Sequence, residues 1–203
     1  MSQARTSELE GLNRVLRAVK EAPAKTLNAS FGVDGQAKEA LDDAARDVLC
    51  ERWTFNTDVI TVRTDQNNEL RLPDSALSAE VVVPEGVYGR QLDRYILRGT
   101  KIWDHMGETY QFAEGTSLRV RVTKWLPWNE RPEHANRLII AIAARDLNRE
   151  AVGDSQADTI LERRVDNARA RSESIEAASN KANAFDVDDL ANGDPRWALS
   201  GYY

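Results

Sequence analysis

The chain has 203 residues, 41% of them hydrophobic and 30% charged, and 27 Lys plus Arg against 33 Asp plus Glu give a formal net charge of -6. That mixture is too apolar for a disordered chain and too polar for a membrane protein, and the length suits one substantial domain or two small ones. One cysteine, Cys50, excludes an internal disulfide and a multi-thiolate metal site, while the acidic balance argues against attraction of the whole surface to nucleic acid.

Ser7-Glu8-Leu9-Glu10 reads as a capping box, and Leu9, Leu12, Val15, Leu16 and Val19 follow on one stripe, so a first helix is expected to run until Pro23 stops it. Arg14, Arg17 and Lys20 lie on its other face. A second helix is expected from Asp34 to about Arg52, with Ala37, Leu41, Ala44 and Val48 as its seam and Cys50 as a semi-buried packing residue near its end. From Trp53 the period changes to two. Ile60 and Val62 oppose Val59, Thr61 and Arg63; Leu70 and Leu72 alternate with Arg71; Val81 to Val83 make a short apolar run ended by Pro84. Tyr95-Ile96-Leu97 and Lys101-Ile102-Trp103 flank Arg98-Gly99-Thr100 as a hairpin whose glycine supplies a positive φ. Tyr110 and Phe112 are expected on the inner face of the next strand, and Leu118, Val120 and Val122 alternate strictly with Arg119, Arg121 and Thr123.

Pro132 suits the first position of a third helix, Glu133 complements its positive end, and Leu138 to Ala144 is apolar almost all round, which predicts a buried helix ended by Gly153. Ser155-Gln156-Ala157-Asp158 can cap a fourth helix whose seam is Leu161, Val165, Ala168, Ser172, Ile175, Ser179 and Ala182. Its Ala and Ser residues release little hydrophobic free energy, so the far half is expected to need a neighbour or partner. After Phe185 an acidic segment carries Trp197, Tyr202 and Tyr203, read either as a frayed terminus or as a segment that orders on a partner. The expected fold class is α+β: a helical bundle of about four helices, 1–52 and 129–184, with an inserted small antiparallel β-sheet or sandwich domain over 53–128 and a flexible C-terminal tail over 185–203. No apolar run approaches the ~20 residues of a membrane span. The start, Met1-Ser2-Gln3-Ala4-Arg5, leads into a charged helical pattern rather than a signal-peptide core, so folding in a cytoplasm is expected.

Catalytic templates fail on residue supply: no GxxxxGK[ST], no GxGxxG after a strand, no GxSxG elbow and no HExxH. Asp93, Asp104, Glu108 and Glu114 fall in the β region with His105, which leaves open a paired-carboxylate glycosidase acting on cell-surface polysaccharide; a solvated acidic surface is the simpler account. His134 has no second imidazole at helical spacing and reads as a surface or satisfied histidine. Arg163, Arg164, Arg169 and Arg171 concentrate charge on the fourth helix among Asp158, Glu162, Asp166, Glu173 and Glu176. A salt-bridged exposed face accounts for that pattern, and a phosphate-tracking strip of a DNA-binding module is the alternative. Arg119 and Arg121 could reach DNA or the acids of a neighbouring subunit.

A set of ordered motifs then stands out: Leu12-Asn13, Leu16 and Glu21-Ala22-Pro23; Arg52-Trp53-Thr54-Phe55-Asn56; Leu72-Pro73; Tyr95, Arg98-Gly99, Ile102 and Asp104; Pro132-Glu133, Arg137, Ala144-Arg145, Asn148-Arg149 and Gly153. In order and spacing they resemble the tail tubular protein A family, the head-to-tail adaptors of short-tailed bacteriophages (podoviruses), up to about Ala184. Trp53-Thr54-Phe55-Asn56 is the most specific and reads as the structural joint between helical and β parts. The resemblance implies a virion tail protein assembled in the host cytoplasm. It implies a subunit of a dodecameric homo-oligomeric ring, docked between the portal protein and the tail nozzle (tail tubular protein B), through which double-stranded DNA passes during ejection. It implies no catalytic residue, cofactor, metal or membrane partner. The weakly seamed fourth helix with Trp197, Tyr202 and Tyr203 is then expected to contact the portal or an adjacent subunit, and Arg163, Arg164, Arg169 and Arg171 are further candidate interaction residues.

Overall fold

The computed structural model describes residues 5–28, 31–82 and 94–192, with side chains described up to 179 apart from 152. Four helices and five strands follow in chain order: α1 (Glu8–Ala18), α2 (Gly32–Cys50), β1 (Thr57–Arg63), β2 (Ala76–Val81), β3 (Tyr95–Arg98), β4 (Lys101–Asp104), β5 (Ser117–Lys124), α3 (Glu133–Leu147) and α4 (Ser155–Asn192). Helices and antiparallel strands thus occupy the expected α+β arrangement.

The ends of the helices are set by local chemistry. Ser7 accepts from the Glu10 amide at 3.2 Å, but Glu10 does not close a capping box, because its carboxylate takes Arg14 at 2.6 Å. α1 stops before Pro23, in a Schellman turn: Lys20, at φ +66, and Glu21 donate their amides to the carbonyls of Arg17 and Leu16. α2 buries Ala37, Leu41, Ala44 and Val48 as its spacing requires. Cys50 corrects the expectation of a packing residue: it is exposed, since two residues beyond Val48 is about 200° around the helix. Pro132 is the cap of α3 rather than its first residue. α3 packs against α1, α2 and α4, with Leu138, Ile139, Ala143 and Leu147 at most 1% exposed. Each large side chain buried so fully contributes about 1.5–3 kcal/mol. A π turn, Asn148–Val152, prolongs α3 to Gly153, whose φ of +70 ends it.

Around a second apolar cluster, β1 and β2 pair antiparallel with β5, giving the order β1-β5-β2, while β3 and β4 form a separate hairpin turned at Gly99, φ +62. Val62, Leu70, Leu72, Ile102, Val120 and Val122 supply its buried members. Leu70 and Leu72 join the hairpin by backbone bonds to Ile102 and Thr100, at 3.0 and 2.8 Å, without forming a continuous strand. Tyr110 and Phe112 also lie outside any strand, in a stretch held by isolated bridges. Thr123 departs from the alternation at 1% exposure. The return from β5 to α3 stacks the Arg131 guanidinium against Trp125 and Trp128, 4.8 and 5.7 Å from their ring centres. Trp128 also lies so close to Gly11 that a Cβ there would stand 2.7 Å from its ring carbons.

Candidate functional site

The four residues Trp53 to Asn56 turn the chain out of α2 into β1 through a 3-10 turn, Thr54–Asn56. Asn56, 2% exposed, accepts from the Trp53 amide at 3.1 Å and donates to the Leu49 carbonyl at 2.8 Å. Trp53 donates its indole N–H to the Val48 carbonyl at 2.8 Å. Two carbonyls at the end of α2, that of Leu49 and that of Val48, which also accepts from the Glu51 amide at 3.3 Å, thereby receive bonds from side chains that sequence order supplies immediately after the helix. Phe55 stacks on Trp53 at 6.1 Å and meets the edge of His134 at 5.8 Å.

The same joint holds α4. Glu176 accepts from the Thr54 amide at 2.7 Å, Arg169 forks onto both oxygens of Glu51 at 3.1 Å each, and Ser172 donates to the His134 carbonyl at 3.4 Å. His134 Nε2 is buried, has no hydrogen-bond partner and lies 3.8 Å from Glu176. Burial pushes the His134 imidazole below its ordinary pKa, with Glu176 pulling the other way, so at neutral pH a neutral ring faces the carboxylate. The start of α4 is fastened as well. Asp154 caps it by accepting from the Gln156 and Ala157 amides at 3.0 Å, one residue earlier than the expected Ser155 cap, and Arg149 grips Asp158 and Glu162 at 2.8 and 2.5 Å.

Along α4 the expected seam is buried at Leu161, Val165 and Ser172, half-buried at Ala168, and then surfaces: Ile175 is 39% exposed and Ser179 is exposed. The helix is continuous to Asn192, past Phe185. Trp197, Tyr202 and Tyr203 lie outside the described residues, as does the side chain of Ala182. Of the four arginines, Arg169 is taken by Glu51, whereas Arg163, Arg164 and Arg171 are exposed and hold no ion pair among the described residues.

The carboxylates weighed for hydrolysis are placed differently. Asp104, 5% exposed, accepts from Arg94 at 2.7 Å and from the Met106 and Gly107 amides at 3.0 Å. The Arg94 guanidinium beside it, more than those amides, holds its carboxyl below the usual range, opposite to what a general acid requires. Asp93 lies outside the described residues, and His105, Glu108 and Glu114 are exposed. Arg121 shares Glu80 with Arg52, at 3.4 and 2.8 Å, and Arg119 is exposed on the same sheet face. Among the described residues no group of three His, Cys, Asp or Glu side chains is placed to hold a metal.

The residues that carry the sequence resemblance thus act as clips. Asn13 donates to the Ala24 carbonyl at 3.2 Å, Glu133 receives the Thr6 amide and hydroxyl at 3.2 and 2.8 Å, and Asn148 reaches the Asp154 carbonyl at 3.0 Å. A family model described as tail tubular protein matches residues 9–182, a span that takes in Asn13, Trp53 to Asn56, Glu133 and Asn148. The chain belongs to the tail tubular protein family. No curated protein matches it. As a member of this family it is a structural component of a phage tail and hence of the virion. Sequence reasoning missed the Trp125, Arg131 and Trp128 stack and the Arg169 to Glu51 fork; the latter joins residues 118 positions apart, and no local pattern announces such a pair.

Proposed function

We propose that this chain is the tail tubular adaptor, which forms a dodecameric ring between the portal protein and the tail nozzle and encloses the path of double-stranded DNA. The family match over residues 9–182 carries this reading. Two features support it. A helical body with a β lobe offers faces of different character, as a subunit with heterologous contacts needs, and a net charge of -6 suits a conduit that must not hold phosphate tightly. Ile175 and Ser179 of the long fourth helix are exposed, and this helix together with Trp197, Tyr202 and Tyr203 is proposed to meet the portal or an adjacent subunit.

Sedimentation of the purified chain, alone and with the portal protein of the same genome, tests the reading. A fast joint complex with ring stoichiometry is the expected outcome, and a chain that stays monomeric in both runs would overturn it. Removal of residues 193–203 is expected to weaken the joint complex; unchanged docking would take the three aromatics out of the contact.

A further inference from the structure

Two triplets on α4, Arg164-Val165-Asp166 and Arg171-Ser172-Glu173, stand seven residues apart. In each the middle residue faces the bundle, Val165 at 5% and Ser172 at 1% exposure. The flanking residues are two positions apart and so project about 200° from one another, onto opposite sides of the helix. Seven residues is nearly two full turns, so Arg164 and Arg171 share one flank and Asp166 and Glu173 the other, each pair spaced about 10 Å along the axis. All four are exposed, and none holds an ion pair among the described residues. On the basic flank Ile160 and Ile175 bracket the two arginines at 55% and 39% exposure. That flank borders a groove of about 340 Å³ whose other wall is the end of α1, with Arg17 and Lys20.

We propose that this flank of α4 is covered by the acidic flank of α4 from a second copy of the chain, the two helices lying parallel. Arg164 and Arg171 then face Asp166 and Glu173 of the neighbour, and Ile160 and Ile175 leave water. The matched spacing lets both pairs form in one register. The distribution of charge also selects the symmetry: a two-fold contact would set each flank against itself, arginine on arginine, whereas repeated rotation sets the basic flank of every copy against the acidic flank of the next. This deepens the ring reading and rests on it.

The test uses the full-length chain in two variants, Arg164→Glu/Arg171→Glu and Asp166→Arg/Glu173→Arg, sedimented with and without the portal protein. Each alone opposes like charges and is expected to assemble at least about tenfold more weakly than the unaltered chain. Mixed in equal amounts, they restore every contact in alternation, and assembly should return. Loss in each with recovery in the mixture supports the contact; a merely misfolded variant would not be rescued. Rings from either variant alone, or no recovery on mixing, would overturn this contact while leaving the adaptor reading intact. Failure of the unaltered chain to assemble under both conditions would overturn both. As a second measurement, Cys50→Ser/Arg164→Cys/Asp166→Cys should be joined into a ladder of multimers by a short thiol cross-linker, and a chain with only one of the introduced cysteines should stay uncoupled; no ladder, or dimers from a single introduced cysteine, counts against the contact.

Discussion

From Leu161 to Ser172 the stripe of α4 lies against α3, whereas Ile175 and Ser179, which continue the same spacing, face solvent. The difference is one of length. α3 has 15 residues and α4 has 38, about 22 and 57 Å. Ser172 already lies opposite His134, the second residue of α3, so α3 does not reach far enough to cover Ile175 and Ser179. A seam in the sequence shows which side of a helix could be buried; the length of its neighbour decides how much of it is.

Substitutions in the two halves should therefore diverge. Leu161→Ala, in the anchored half at 2% exposure, is expected to cost about 2–5 kcal/mol in denaturant unfolding. A cost comparable to that of a surface change would mean α4 is not fastened where it crosses α3. Next comes the joint that holds the anchored half: Asn56→Ala leaves the Trp53 amide and Leu49 carbonyl unsatisfied and should cost about 1–3 kcal/mol, read as a lowered Tm.

A smaller effect is expected from pH. The folded state holds His134 below the 6.5 of a free imidazole, so on acidification the unfolded chain takes the proton first and stability falls. His134→Phe keeps a ring against Phe55 and should lose less stability than the unaltered chain between about pH 7 and 5; equal losses would show that His134 does not couple α4 to the joint. The smallest effect belongs to the projecting half. Ile175→Ser should change unfolding of the isolated chain by less than about 0.5 kcal/mol, yet weaken assembly measured by sedimentation. A large loss of monomer stability would mean that Ile175 packs within its own chain.

Much of the architecture was legible because it is periodic. Ile60 with Val62, and Val120 with Val122, point inward as alternation demands, and the Gly99 hairpin stands where its turn residues put it. The joint was legible in part: Trp53 and Phe55 read as core aromatics, but the role of Asn56 in satisfying the end of α2 depends on where Leu49 and Trp53 come to lie. The arginines of α4 were legible as a group, whereas the pairing of Arg169 with Glu51 was not.

Element type, the inward face of each strand and the buried character of α3 follow from residue order, because backbone geometry repeats every few residues and side chains follow it. The central place of β5, the exposure of Cys50, the partner of Arg169 and the point where the α4 seam meets water follow from what stands opposite in space. Those neighbours come from distant parts of the chain, and packing rather than local periodicity brings them together.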